Sequence, residues 1–401
     1  MKTQLELVPS GGVTAPAGFT GGAVAAGIKN SNKKSLDLGI LCSARSCQAT
    51  AVFTTNHVKA TSVLLNQARL KNGRAAAVVM NSGCANAFTG EQGMADAVEM
   101  AALAAIKTGI SPEDVLVAST GVIGTALPME RIRAGITAIQ LTSEGGHDLA
   151  RAIMTTDTHP KEIAVKAGDF TIGGMVKGSG MIHPNMATLL CFLTTDAPVE
   201  LSFLKRALHN TVNISFNMVA VDNDGSTNDT VLIMANGIAG GEMINGKGKR
   251  ARDFQAALDE VCRYLARETA RDGEGATKFI EVKVGGARNV RDARRVARTI
   301  AGSMLVKSAV YGSDPNWGRI VAAAGRSGAR VDADKLEVFF GGIAMARNGG
   351  PVPFDRKEAT RYLEGKEIAI NLDLHLGKAE ATAWGCDLTE TYVKINAEYT
   401  T

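Results

Sequence analysis

The chain has 401 residues, 45% of them hydrophobic, enough for one large core or two. Its net charge of +4 is small for this length, and no basic stretch is interleaved with aromatics, which gives no electrostatic footprint for nucleic acid. No run approaches the ~20 apolar residues of a membrane span, and Met1–Pro9 lacks the apolar centre of a signal peptide. Six scattered cysteines, none in a Cys-x-x-Cys pair, argue against zinc and for a reduced, cytoplasmic protein.

Residues 9–28, rich in Gly, Ala and Pro, read as an ordered loop before a strand pair at Leu36–Cys42 and Ala49–Thr54. A helix near Ser62–Asn72 and a compact strand at Ala75–Met80 follow, then a polar turn Asn81–Gly90 and a helix Glu91–Thr108 stopped by Gly109. Val115–Ala118 is a short strand running into Ser119-Thr120-Gly121-Val122-Ile123-Gly124. A Thr-Gly pair at a strand end can offer a hydroxyl and a backbone N–H to one point, the minimum of an oxyanion hole, although a plain turn has the same letters. Leu127–Thr142 reads as a helix entered through Pro128, Met154-Thr155-Thr156-Asp157-Thr158 as a hydroxyl-rich segment, and Ile163–Lys166 with Phe170–Val176 as a hairpin leading to Lys177.

Lys177-Gly178-Ser179-Gly180-Met181-Ile182-His183-Pro184-Asn185-Met186-Ala187-Thr188 then feeds an apolar run that reads as a buried strand. Glycines and Pro184 constrain the approach, so Thr188 takes the first strand position. As an ordinary β-branched residue it simply opens the strand. If the Ala187–Thr188 bond is cut, it gains an α-amine of pKa about 8 beside its own hydroxyl, the arrangement of an N-terminal nucleophile. The cut can be self-made, by attack of the hydroxyl on the Ala187 carbonyl and hydrolysis of the resulting ester. Lys177 is not part of a P-loop, because Gly-x-x-x-x-Gly-Lys-Ser/Thr does not occur in the sequence.

Helices follow at Leu201–Val212 and Phe254–Arg271, separated by the acidic loop Asp222-Asn223-Asp224-Gly225-Ser226-Thr227-Asn228-Asp229 and a glycine-rich stretch 237–248. The acidic loop lacks the spacing of a calcium-binding loop and reads as structural, close to the site. Asp272-Gly273-Glu274-Gly275-Ala276-Thr277-Lys278 sets a carboxylate between glycines, open to a ligand's ammonium group. Phe279–Val284 is a strand and Val290–Ala301 a helix with four arginines, read as a solvated face. Tyr311–Arg319 reads as structural with a place in the site lining, and residues 331–345 and 366–396 as strands joined by tight turns. The alternation has no strict βαβ rhythm, which predicts a layered α/β (α+β-like) architecture.

The stretch Lys177–Thr188 closely resembles the self-cleavage segment of the bifunctional glutamate N-acetyltransferase/amino-acid acetyltransferases of arginine biosynthesis, the ornithine acetyltransferases. Ser119–Gly124, Met154–Thr158, Asp272–Lys278 and Tyr311–Arg319 extend the resemblance nearly end to end. Cys84 and Phe88 depart from the family, which has Asn and Cys there, and glycine sits at 225 rather than at 223. The resemblance implies two mixed sheets sandwiched by helices, with the strand after Thr188 central. It implies an α chain of residues 1–187 and a β chain of residues 188–401, two of each assembling as a heterotetramer. Thr188 becomes the nucleophile, and Thr120 and Gly121 the oxyanion hole. Thr156 (with Thr155 the alternative), Lys177, Glu274, Asn396 and Thr401 become substrate contacts. The implied substrates are N2-acetyl-L-ornithine and L-glutamate, with no cofactor and with acetyl-CoA as an optional second donor. The rival readings are an N-terminal-nucleophile amidase or aminopeptidase, in which water resolves the acyl-enzyme, and an uncleaved anion-binding protein.

Overall fold

A computed structural model describes residues 4–29, 35–182 and 189–398. Among these, one nine-stranded and one seven-stranded mixed sheet form. The larger runs in the order Glu6–Leu7, Lys161–Ala167, Phe170–Lys177, Leu190–Thr195, Thr230–Ala235, Leu38–Phe53, Arg74–Cys84, Val115–Val122, with Phe19–Val24 also paired to Leu38–Phe53. Leu190–Thr195 is therefore central, antiparallel to Phe170–Lys177 and parallel to Thr230–Ala235. The smaller sheet is built from Gly350–Pro351, Ile343–Arg347, Glu337–Phe340, Glu367–Asp373, Phe279–Ala287, Ala379–Cys386 and Val219–Ala220.

The central strand is apolar on both faces because both are covered. Cys191 and Leu193 join a core that also holds Val261, Ile280 and Ile370, whereas Leu190 and Phe192 face a second cluster with Leu41, Val78 and Leu116. Alternate side chains of a strand point to opposite faces, so a continuous apolar run is what such a position requires. The 24-residue helix Gly248–Arg271 buries Phe254, Leu258, Val261 and Leu265 at helical spacing. It packs against Lys161–Ala167 and Phe170–Lys177 of the larger sheet and touches Ala379–Cys386 of the smaller. Its end carries the chain into Asp272-Gly273-Glu274.

Several boundaries differ from the sequence reading. The expected pair Leu36–Cys42 and Ala49–Thr54 is one strand, Leu38–Phe53, whose register against Arg74–Cys84 shifts between Cys42 and Cys47. The irregularity lets one long strand pass through polar residues that looked like a turn. The helix expected over Leu127–Thr142 is Met129–Ala138, and a further short helix occupies Gly146–Ala152. The stretch 366–396, expected to be strand, ends in the helix Glu390–Ala397, and another helix, Arg356–Leu363, occupies the interval between the two stretches read as strands. Each is capped by a side chain, Asp355 accepting from Lys357 and Glu358 N–H, and Thr389 from Tyr392 N–H. The hairpin Lys161–Ala167/Phe170–Lys177 and the helices Gly90–Thr108 and Val290–Ala301 stand close to where they were expected. All six cysteines are free and buried, and no helix among the described residues is long and apolar enough to cross a membrane.

Candidate active site

The strand Val115–Val122 carries Thr120 and Gly121 to its end. Gly121 has φ +131°, and a Cβ there would lie 2.2 Å from the Gly83 carbonyl carbon, so the position admits glycine alone. The neighbouring turn is held by Asn228, whose Nδ2 donates to the carbonyls of Ala85 and Ser119 at 2.7 and 2.8 Å. Phe170–Lys177 ends on Lys177, which is 5% exposed; its Nζ donates to the hydroxyls of Thr120 at 3.1 Å and Thr155 at 3.0 Å.

Glu274 follows the long helix, and its backbone N–H donates to the Ser179 carbonyl at 2.8 Å. Its carboxylate accepts from Thr156 Oγ1 at 2.7 Å and from Asn396 Nδ2 at 2.8 Å. The Thr156 hydroxyl also meets Ser179 Oγ at 2.6 Å. Gly180 makes room for this carboxylate, since a Cβ there would stand 2.4 Å from the Glu274 carboxyl carbon.

Thr120, Gly121, Thr155, Thr156, Lys177, Gly180, Glu274 and Asn396 line one cavity of about 110 Å³. Six of the residues singled out in the sequence thus meet in one place, and Thr155 and Thr156 both contribute. Ala187, Thr188 and Thr401 lie outside the described residues. The acidic loop supplies Ser226, Thr227 and Asn228 to the wall, so it does lie at the site. Tyr311–Arg319 is not among the lining residues; the Tyr311 carbonyl and the Ser313 hydroxyl serve instead as acceptors for Lys278 Nζ. A larger cavity of about 780 Å³, over the smaller sheet, gathers none of the expected site residues.

Behind the cavity sits a buried charge cluster that sequence reasoning missed. Asp157 accepts from Lys161 Nζ at 2.6 Å, from Gly178 N–H at 2.8 Å and from Thr155 N–H at 3.0 Å. Lys161 Nζ also pairs with Asp272 at 2.5 Å. Burial opposes the charge on Asp157, but Lys161, Lys177 and the hydrogen bonds outweigh it and hold the pKa down at about 2. Burial lowers the Lys177 pKa; Asp157 works against that fall and Lys161 adds to it. Asp157 and Asp272 stand in the segments Met154–Thr158 and Asp272–Lys278 singled out in the sequence, but nothing there marks their pairing with Lys161.

Fold and pocket together define a class: a two-sheet α/β enzyme whose small polar site presents a cation and a carboxylate beside a hydroxyl-glycine pair. The chain belongs to the ArgJ family, whose family model matches residues 20–401. It is 50% identical over 405 residues to the arginine biosynthesis bifunctional protein ArgJ of Dehalococcoides mccartyi (strain CBDB1), covering 100% of both chains. It is 54% identical over 398 residues to the protein of the same name from Symbiobacterium thermophilum, covering 98% of this chain and 99% of that one. Among solved structures, the arginine biosynthesis bifunctional protein from Bacillus halodurans matches with 45% identity and a TM-score of 0.50, over 51% of this chain and 97% of that chain. Membership bears out the sequence reading of an acyltransferase of arginine biosynthesis over an amidase or an anion-binding protein.

Proposed function

We propose that the protein cuts itself between Ala187 and Thr188 and then moves the acetyl group of N2-acetyl-L-ornithine to L-glutamate through an acetyl-threonine ester. The observation that carries this reading is the meeting of Thr120, Gly121, Lys177 and Glu274 in one small cavity, served by the sheet in which the strand after Thr188 is central. In the proposed cycle Thr188 Oγ attacks the acetyl carbonyl while its α-amine takes the hydroxyl proton. The Thr120 hydroxyl and Gly121 N–H stabilise the oxyanion. The proton passes to the departing ornithine nitrogen, and glutamate then takes the acetyl group by the reverse sequence. Both substrates share an α-amino-acid core. Lys177 suits its carboxylate, and Glu274, steadied by Thr156 and Asn396, suits an ammonium group. The terminal Thr401 completes the contacts by resemblance.

The half-length match to the solved Bacillus halodurans chain has the proportion of one cleavage product. The fragments, residues 1–187 and 188–401, assemble in this reading as two of each, in the cytoplasm. The relatives are named bifunctional, and acetyl-CoA as an alternative acetyl donor supplies the second activity here; no resident cofactor enters the cycle. Intact mass of purified protein tests the proposal. Two fragments are expected, the C-terminal one gaining an acetyl group with acetylornithine and losing it to glutamate, and Thr188→Ala abolishing both events. Full-length, uncut protein with normal turnover overturns it.

A further inference from the structure

The acidic loop does more than line the cavity: its two ends grip both flanks of residues 183–188. Upstream, the Asp222 carboxylate accepts from Met181 N–H at 2.6 Å and Ile182 N–H at 2.8 Å, and the Ile182 carbonyl accepts from Val221 N–H at 2.9 Å. Downstream, Asp229 Oδ1 accepts from Leu189 N–H at 3.2 Å, and the Leu189 carbonyl accepts from Thr230 N–H at 3.0 Å. Asp229 is 1% exposed, yet its other oxygen, Oδ2, has no hydrogen-bond partner among the described residues. A buried acceptor left empty is unfavourable, and its persistence asks for a use.

The Leu189 nitrogen belongs to the peptide that joins it to residue 188. Bond lengths alone keep the α-nitrogen of residue 188 within about 4 Å of that atom. We propose that Asp229 is a positioning residue for this α-nitrogen, its unfilled oxygen accepting a hydrogen bond from the chain-end amine. This inference rests on the reading of Thr188 as the nucleophile. When the threonine oxygen bonds to the acetyl carbon, its proton moves to the α-amine, and the resulting ammonium donates to Asp229. As the tetrahedral intermediate collapses, the C–N bond to ornithine breaks and the same proton leaves with ornithine's nitrogen. Asp229 gains and loses no proton over the cycle. Burial pushes the Asp229 carboxyl above the usual carboxylate range, while Leu189 N–H and Lys177 act the other way; a cation beside it adds to these and favours the carboxylate that the hydrogen bond needs.

Asp229→Asn keeps an acceptor for Leu189 N–H but replaces the empty oxygen with an amide donor; Asp229→Glu keeps the carboxylate. Each is followed by melting temperature, fragment formation, and kcat and KM for acetylornithine. The proposal expects Asp229→Asn to melt near the parent while fragment formation or kcat falls about 100-fold, KM staying within about twofold, and Asp229→Glu to recover a measurable part. Parental rates in Asp229→Asn overturn it, as does loss of rate that follows loss of melting temperature with no recovery in Asp229→Glu. Parent protein that neither cuts at 187–188 nor acquires an acetyl group refutes the underlying function instead, a result read before either variant is made.

Discussion

Gly180 shows how much a missing side chain decides. A methyl there would press on the Glu274 carboxylate at 2.4 Å, and that carboxylate already sits between Thr156 and Asn396. Gly180→Ala is therefore expected to raise KM for acetylornithine about tenfold while changing kcat less, because it displaces the group proposed to pair with the substrate's charge in ground and transition states alike. Steady-state kinetics decide this, and an unchanged KM refutes the role given to Glu274. Thr120→Val is expected to behave oppositely. It removes a hydroxyl and leaves Lys177 with one threonine acceptor fewer, so kcat should fall about 100-fold with a smaller change in KM. Side chains of this kind were legible in sequence because they stand in long runs of unusual residues, such as Asp272–Lys278. The roles of Asp157, Lys161 and Asp229 were not, because what marks them is burial and the pairing of Asp157 and Lys161 with each other, with Gly178 and with Asp272.

At the scale of elements, the cluster around Asp157 ties the turn before Lys161–Ala167 to the strand end at Gly178 and, through Lys161, to the end of the long helix at Asp272. Its stability has a definite pH window. The folded-state pKa of Asp157 is depressed from 3.8 to about 2, so its contribution is complete above the unfolded value and is lost as pH falls from about 4 to about 2. Linkage puts that contribution at about 2 kcal/mol. Denaturant unfolding of the parent between pH 5 and 2 should show this loss, and Asp157→Asn should lack it while being less stable at pH 7. An Asn variant that retains the parental slope would exclude Asp157 as its source. The same scale explains the sequence reading's errors. Periodicity found the helix Gly248–Arg271 from Phe254 onward because one face is buried along its length. It split Leu38–Phe53, whose middle residues Ala44–Ser46 are exposed and polar in pattern, and it missed Glu390–Ala397, which buries no residue fully and owes its start to Thr389.

Across the whole molecule, the order of strands determines what a cut at 187–188 can do. Leu190–Thr195 and Thr230–Ala235 stand side by side in the larger sheet, with strands of residues 1–187 on either side: Phe170–Lys177 next to the first and Leu38–Phe53 next to the second. The C-terminal part is thus inserted into the middle of a sheet whose flanks are N-terminal, and pulling it out breaks two full ladders and exposes both faces of the central strand. The cavity is divided in the same way, Thr120, Gly121, Thr156 and Lys177 coming from one part and Asn228, Glu274 and Asn396 from the other. The cut protein should therefore migrate as one species in native mass spectrometry and as two bands after denaturation. The fragments should part only at denaturant concentrations that also abolish the far-UV circular dichroism of the sheets, with activity lost in the same transition. Folded fragments that separate on gel filtration without denaturant would show that the interleaved sheet does not hold the two parts together.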